Sequence, residues 1–507
     1  MVERGRPARL PQPAAGRRCR VRKTGGTPAL HYHLTQSTAA NENRGVIASL
    51  TLALLLTAAG EFQVNSTTAA DQGYPSACLT ADGSATVVWE SRDATGSGLR
   101  GRRFDAAGAP LGDETALTDD TAERQAPSVA CPADGGYLVV WEERGGTADD
   151  FDIGARRVAA GGPAGEPFTV NATTAGRQRG AAVCGAAGGE FVVVWQGDEP
   201  DDGGYGIFLQ RFAADGTRRG AERRVNLTVA DEQQHPAVAC GADGGVGVVW
   251  ESRGEDGDGG AIVGRRLAAD GQGLAELRLN STAAGDQRHP AIAALPDGGF
   301  LAAWESEGQD GDESAIVARR LAADLTPLGD ELIVNSCAAY SQEQPAVAVG
   351  DGGAMVVWSS PGDGEGYGIF ARQLDAAGRP RGAEVLLNVG TAGTQGAVSD
   401  EGGGLSAAGG GAEVLVAWQS LRLLGSGPDG DGLGVFARRA TLEAPPCAGD
   451  CDGDGGVTID ELIRGVELAL RDGSTVGCAA LDADGDDRVV VAELIAAVAA
   501  ALNGCEQ

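Results

Sequence analysis

The chain predicts an all-β fold: a seven-bladed β-propeller of four-stranded antiparallel blades, its last blade closed by the N-terminal strand, followed by a small α-helical module of duplicated calcium loops. Three observations carry this. The seven tryptophans, Trp89, Trp141, Trp195, Trp250, Trp304, Trp358 and Trp418, recur at steps of 52, 54, 55, 54, 54 and 60 residues. Each interval holds four short apolar runs divided by Asp- and Gly-rich turns, and a fixed period of this size with four strands per unit matches a propeller blade. A β-solenoid would take roughly half this length per coil and would need no closing strand.

The unit beginning at His235 shows the order of elements. Pro236-Ala-Val-Ala-Cys240 is the first strand, and Asp243-Gly-Gly245 supplies the positive φ of a tight hairpin. Val246-Gly-Val-Val-Trp250-Glu251 is the second. An acidic loop, Arg253 to Gly260, leads to the third strand, Ala261 to Leu267. The turn Asp270-Gly271 then leads to Leu277-Arg-Leu-Asn280. Fourth-strand runs are also offset along the chain. Phe62-Gln-Val-Asn65 precedes every other strand, whereas the last unit, Glu413 to Trp418 and Leu433 to Arg439, runs out before a fourth strand. Phe62 to Asn65 is therefore expected to complete the last blade, which removes two open strand edges.

The 507 residues include 81 glycines and only 5% aromatics, a composition of many thin, turn-rich layers. The formal net charge is −31. Nine of the 40 basic residues, but only Glu3 and Glu42 of the acids, fall within the first 60, so the remainder is more acidic still. Such a surface repels phosphate backbones and anionic lipid heads, which argues against nucleic acid as a partner and favours cations. Residues 1–45, rich in Arg and Pro, read as disordered or as a start codon placed too far upstream. Residues 46–60 read as a signal peptide, with the apolar run Val46 to Leu56 and small residues at Ala58 and Gly60. The run is too short to span a bilayer. We expect a secreted or cell-surface monomer with the propeller over 61–440, a linker over 441–446 and the terminal module over 447–507.

Four of the ten cysteines, Cys447, Cys451, Cys478 and Cys505, crowd that last module and predict two disulfides, with three connectivities open. Cys78, Cys131, Cys184 and Cys240 occupy similar first-strand positions and read as small buried apolar groups.

The module carries the one motif with readable chemistry. Asp450, Asp452, Asp454, Gly456, Thr458 and Glu461 fill positions 1, 3, 5, 7, 9 and 12 of a twelve-residue calcium loop, with Gly455 at the sharp turn. A hard cation with six to eight oxygen ligands offsets the repulsion of carboxylates packed so closely. Asp482, Asp484, Asp486, Arg488 and Glu493 repeat the pattern. There Asp487 takes the glycine position and Val490 offers no side-chain ligand, so weaker binding is expected. Ile459, Leu462, Ile463, Val466 and Leu470 fall at helical spacing, as do Val491, Leu494, Ile495, Val498 and Leu502, giving two amphipathic helices that pack on each other. No helix precedes the first loop, because Pro445 and Pro446 forbid one.

This duplicated loop-helix pattern resembles the type I dockerin module and related EF-hand repeats over residues 447–505. The resemblance implies two Ca2+ ions, calcium-dependent folding and docking to a cohesin-like receptor. The repeats over 61–440, with VVWES and GIFARQ segments, look like those of secreted bacterial adhesin-like proteins. That likeness brings no catalytic motif.

Catalytic signals are sparse. His235 and His289 stand beside prolines at matching places in neighbouring repeats and read as parts of the blade template. No Ser-His-Asp order, zinc spacing or phosphate loop is present. Nothing singles out one pair of acids for glycoside hydrolysis. The acidic loops, among them Glu255 to Asp258 and Asp310 to Glu313, read as solvated turns because their spacing varies. Asn65, Asn171, Asn226 and Asn280 lie in glycosylation sequons but read as turn-holding template residues. The expectation is a calcium-binding protein with a propeller adhesion surface and no catalytic site. The alternative is a polysaccharide-active enzyme, a glycoside hydrolase or lyase, delivered by its terminal module.

Overall fold

In the computed structural model, residues 60–503 are described except for short segments, the longest being 199–203, 397–402, 422–431, 443–448, 452–456, 472–477 and 482–488. The signal peptide expected over 46–60 lies outside the described residues up to 59.

Seven antiparallel sheets follow one another along the chain, each ordered outward from an inner strand. Blade 4 is typical: Gln233–Cys240, Val246–Arg253, Gly260–Leu267 and Gly273–Arg278, each pairing with the next. The second strands are apolar on both faces. Phe191–Asp198, for instance, is buried from Phe191 through Gly197, as expected where blades pack face to face. Each hydrophobic layer unites two consecutive blades. Val249, Ile262 and Leu279 of blade 4 pack with Phe300, Trp304 and Val317 of blade 5. Val64, Leu415 and Val435 of blade 7 pack with Val87, Trp89 and Phe104 of blade 1, so the ring is continuous.

Closure occurs where the offset predicts it. Phe62 lies opposite Ala437 and Gln63 opposite Phe436 on the third strand of blade 7, so the N-terminal segment becomes its fourth. The Val64 N–H donates to the Val435 carbonyl at 2.9 Å. The innermost strand of this blade is divided, Thr394–Gln395 and Leu405–Gly410 pairing with the same neighbour, Glu413–Leu421.

The asparagines expected to hold turns do more than that. Each follows a buried aliphatic residue just beyond the fourth strand. Its Oδ1 accepts a third-strand N–H: Asn171 from Ile153, Asn226 from Ile207, Asn280 from Ile262, Asn335 from Ile316, Asn388 from Ile369 and Asn65 from Val435, all at 2.7–2.9 Å. Thr118 does the same for Leu99 in blade 1. The Asn amide then donates to the carbonyl two residues on, as from Asn280 to Thr282. A glutamate from the following blade caps that turn: Glu276 accepts from Leu227, Glu384 from Ser336, and the N-terminal Glu61 from Val389. Third-strand arginines complete the lacing by donating to the preceding blade's carbonyl, Arg265 to Val225 and Arg319 to Leu279.

Two expectations are corrected here. Cys78, Cys131, Cys184 and Cys240 are not free: Cys78–Cys131 and Cys184–Cys240 are disulfides joining the inner strands of blades 1 and 2 and of blades 3 and 4. Equivalent positions on adjacent inner strands meet at the hub, which places their Cα atoms 5.5 and 5.7 Å apart. In the terminal module, helices α1 (Ile459–Arg471) and α2 (Val491–Asn503) form where expected, but the buried stripe is rotated. Ile459, Ile463, Val466 and Leu470 are exposed, as are Val491, Ile495 and Val498. Leu462 and Leu494 of the expected stripes are kept, and Leu468, Cys478, Leu481 and Ala497 complete the small core. Gly465 explains the rotation: a Cβ there would sit 2.8 Å from Leu494 and 3.0 Å from Leu481, so the missing side chain lets α1 approach closely along this line. Cys451 pairs with Cys478, while Cys447 and Cys505 lie outside the described residues. No helix among the described residues is long and apolar enough to cross a membrane.

Candidate active site at the channel mouth

The inner strands share one irregularity. Their register slips by one residue next to a proline or small residue, as between Gln234 and Ala237 or Arg288 and Ala291. The bulged residue carries positive φ: Tyr74 at 51°, Ala126 at 50°, Gly180 at 61°, His235 at 51°, His289 at 49° and Gln344 at 52°. Five of the six are not glycine, so each holds a sparsely populated backbone conformation that persists only where the surroundings enforce it.

The enforcing contact comes from the residue after each tryptophan. The bulge N–H of one blade donates to the side chain of that residue in the blade before: Tyr74 to Gln419 (2.9 Å), Gly180 to Glu142 (2.8 Å), His235 to Gln196 (2.7 Å) and Gln344 to Glu305 (2.6 Å). The tryptophans are anchored at the same level. The Nε1 groups of Trp89, Trp195 and Trp250 donate to Gln72, Gln178 and Gln233 at 2.8–3.0 Å. They are scaffold, as expected: all seven are at most 1% exposed.

Bulge residues of four consecutive blades, Tyr74, Ala126, Gly180 and His235, line a single cavity of about 220 Å³ together with Arg92, Glu142, Arg179 and Tyr205. Side chains from four blades meet only near the axis, so the cavity marks one mouth of the central channel. His235 is part of the blade template, as expected, but its Nδ1 lies 3.1 Å from the buried Glu251 carboxylate. In the next blade His289 Nδ1 is 2.9 Å from Glu305, and the two imidazole rings are 4.9 Å apart. Burial pushes the Glu251 carboxyl up, but hydrogen bonds from His235 and Gln234 outweigh it and hold the group below its ordinary range.

Two glutamates of adjacent blades sit in contrasting surroundings. Glu142 is 6% exposed, and its carboxylate accepts from Gly180 N–H and, at 3.0 Å, from the Gln125 amide. Glu90 is 2% exposed, with Arg92 Nη2 at 2.7 Å as its cationic neighbour. Burial outweighs that guanidinium and pushes the Glu90 carboxyl up to about 7. These acids were not found in the sequence. The signal was there in the residue following each tryptophan, which runs Glu90, Glu142, Gln196, Glu251, Glu305, Ser359 and Gln419, but linear spacing did not show that this position faces the channel.

The predicted calcium ligands are described only in part. Asp452, Asp454, Gly456, Asp482, Asp484, Asp486 and Arg488 lie outside the described residues. Asp450, Glu461 and Glu493 are buried at 8%, 6% and 5% exposure. Glu461 spans its loop: one oxygen accepts from Cys451 N–H at 2.6 Å and the other from Thr458 N–H and Oγ1 at 2.7 and 2.9 Å. Thr458 and Glu461 thus form a capping box that starts α1. Glu493 accepts from Val490 N–H at 2.8 Å in the second copy. Among the described residues, no cluster of three or more metal-ligating side chains is assembled.

No known protein-family profile and no curated protein matches the sequence. Solved structures do match in fold. Polysaccharide lyase Uly1 is 9% identical at TM-score 0.46, covering 75% of this chain and 91% of its own. Phage phi92 endosialidase is 9% identical at TM-score 0.45, covering 76% and 69%. A Penicillium chrysogenum α-L-arabinanase complexed with arabinobiose is 13% identical at TM-score 0.42, covering 75% and 98%. At these identities the likeness is one of fold. The expectation of an adhesion propeller is corrected: the three structures named here are a polysaccharide lyase, an endosialidase and an arabinanase, and one cavity is lined by Glu142, His235, Arg92 and Arg179.

Proposed function

We propose that the channel mouth is the active site of a polysaccharide-cleaving enzyme, a glycoside hydrolase or lyase. The observation that carries this reading is the pair Glu90 and Glu142 on adjacent blades: burial pushes the Glu90 carboxyl up to about 7, and Glu142 lines the cavity. Cleavage of a glycosidic bond needs one carboxyl that keeps its proton near neutral pH and one that has lost it. Glu90, buried beside Arg92, supplies the first: it donates to the departing glycosidic oxygen. Glu142, on the cavity wall and held in place by Gly180 and Gln125, supplies the second, acting on a water or on the sugar. His235, oriented by Glu251, offers a further proton acceptor on the cavity wall. The strained bulges hold these groups at fixed positions in the ring.

Incubation of the full-length protein with a panel of polysaccharides, followed by reducing-end and unsaturated-sugar assays, tests the reading. Product is expected from at least one glycan, and Glu142→Gln is expected to abolish it. Absence of product across hydrolase and lyase substrates overturns it.

The terminal loops are proposed as calcium sites, in keeping with a secreted protein. Glu461 fits position 12, because its buried carboxylate already turns inward to the first turn of its loop. Asp450 and Thr458 would join it, and the ion would neutralise the gathered acids. Calorimetric titration of the whole protein should show heat of calcium binding that is lost in the double variant Glu461→Gln and Glu493→Gln. Wild-type protein that takes up no calcium rules the sites out. Docking to a cohesin-like receptor remains an extension of the same reading.

A further inference from the structure

Glu90 departs from the pattern of its position. In four other blades the residue after the tryptophan accepts the bulge N–H of the next blade, yet among the described residues neither Glu90 oxygen has a hydrogen-bond partner. Its close neighbour is Arg92, with Nη2 at 2.7 Å. Glu90 and Arg92 are alternate residues of the strand Ala85–Asp93, so their side chains leave it on the same face. They differ in depth. The Arg92 side chain keeps 51% of its surface exposed, whereas Glu90 is buried, and it is Arg92 that lines the cavity. The guanidinium therefore screens the acid from a ligand, and Glu90 reaches a glycosidic oxygen only when that guanidinium moves.

The surroundings of Glu90 decide what such a move does. Gly73 and Leu99, its partners on the flanking strands, carry no charge. Burial favours the protonated carboxyl, Glu123 and Glu142 of blade 2 add to that preference, and Arg92 opposes it. A buried carboxylate that loses its cation takes up a proton instead of staying charged.

We propose that Arg92 is a positioning residue that couples ligand binding to the proton on Glu90: acceptor oxygens of a sugar in the cavity draw the guanidinium away, and the uncovered carboxyl takes up the proton that it then donates. This rests on the reading of the mouth as a glycan-cleaving site. One proton enters from solvent as the sugar binds. When the glycosidic bond breaks, its electron pair goes to the departing oxygen, that proton neutralises it, and Glu90 returns to the carboxylate with which Arg92 pairs.

The test compares two pH profiles of the full-length protein on a glycan that it cleaves in the polysaccharide panel. The profile of kcat/KM reports the acid in the free protein, and that of kcat reports it with sugar bound. The alkaline limb is expected about 1 pH unit or more higher in kcat than in kcat/KM, the scale on which a neighbouring opposite charge moves a carboxyl. Arg92→Gln should bring both limbs to the higher value, whereas Arg92→Lys, which keeps a cation, should restore part of the gap. Denaturant unfolding reads the same pair without catalysis. The pH window over which Glu90 contributes to stability, measured against a matching Glu90→Gln variant, should move up by a similar amount in Arg92→Gln. Circular dichroism checks that each variant is folded. An unmoved stability window, or a gap between the limbs that persists in Arg92→Gln, overturns the proposal. Cleavage with coincident limbs in the wild type overturns the coupling while sustaining glycan cleavage. Absence of cleavage on every glycan overturns the enzyme reading and the coupling with it, even where the stability window moves.

Discussion

The outer clasps and the channel mouth are built by the same seven repeats, yet they use repetition in opposite ways. Around the clasps the repeats agree: Asn or Thr118 accepts the third-strand N–H in every blade. At the mouth they diverge, because the bulge position is Tyr74, Ala126, Gly180, His235, His289 or Gln344 in the first six blades. Backbone geometry explains how this is tolerated. The clasp exchanges side-chain atoms for backbone hydrogen bonds that every blade needs, so only Asn or Thr serves. The bulge is held through its own N–H, which any residue but proline supplies, and its side chain is left free to vary. Agreement marks the frame, and divergence marks the cavity wall proposed as the site.

The largest expected effect is on the frame. Deleting residues 61–66 removes Val64 from its layer, the Asn65 clasp, the Glu61 cap and the strand paired with Leu433–Thr441. The melting temperature should drop further than for any single substitution below, and an unchanged melting curve would show that closure contributes nothing. Next comes Trp304→Ala, which opens a cavity in a fully buried layer and is expected to cost about 3–5 kcal/mol in denaturant unfolding. A single clasp is smaller. Asn280→Ala leaves the buried Ile262 N–H without its acceptor, and about 1–3 kcal/mol should be lost. If catalytic rate fell as sharply as stability in that variant, clasp and mouth would not be separable.

The smallest effect on stability sharpens the comparison from the other side. The Glu90 carboxyl is raised from its ordinary 4.5 to about 7, so the native state binds this proton more tightly than the unfolded chain does. Its contribution is full below about 4.5 and is lost as pH rises through about 7. Wild-type stability relative to Glu90→Gln should therefore decline over that window, measured by denaturant unfolding at several pH values. Activity should fall on the alkaline side of pH 7 for the same reason, and Glu90→Gln should lose about a hundredfold or more in rate, the usual contribution of a general acid. A variant that keeps wild-type activity across the window would remove Glu90 from the chemistry.

Legibility followed this division. Trp spacing counted the blades, and the offset of Phe62 located the closing strand, because both are periodic and periodicity survives in one dimension. The sequon asparagines read correctly as template residues. Cys78 and Cys131 are 53 residues apart in sequence, and nothing local shows that equivalent inner strands converge until the ring is closed. The helical stripe of α1 was misjudged because counting apolar residues ignores Gly465, whose lack of a side chain sets the line of closest approach. The acids after Trp89, Trp141, Trp250 and Trp304 were passed over for a related reason: each looks like one more polar residue at a strand end.

The sequence by itself determined a ring of seven four-stranded blades and its point of closure, since these rest on hydrophobic period and turn chemistry. Only the tertiary structure decided that Glu142, His235, Arg92 and Arg179 line one cavity, with Glu90 buried against Arg92. Their pairwise relation arises from closing a circle, and separations of tens of residues become neighbouring blades only when every layer between them is packed.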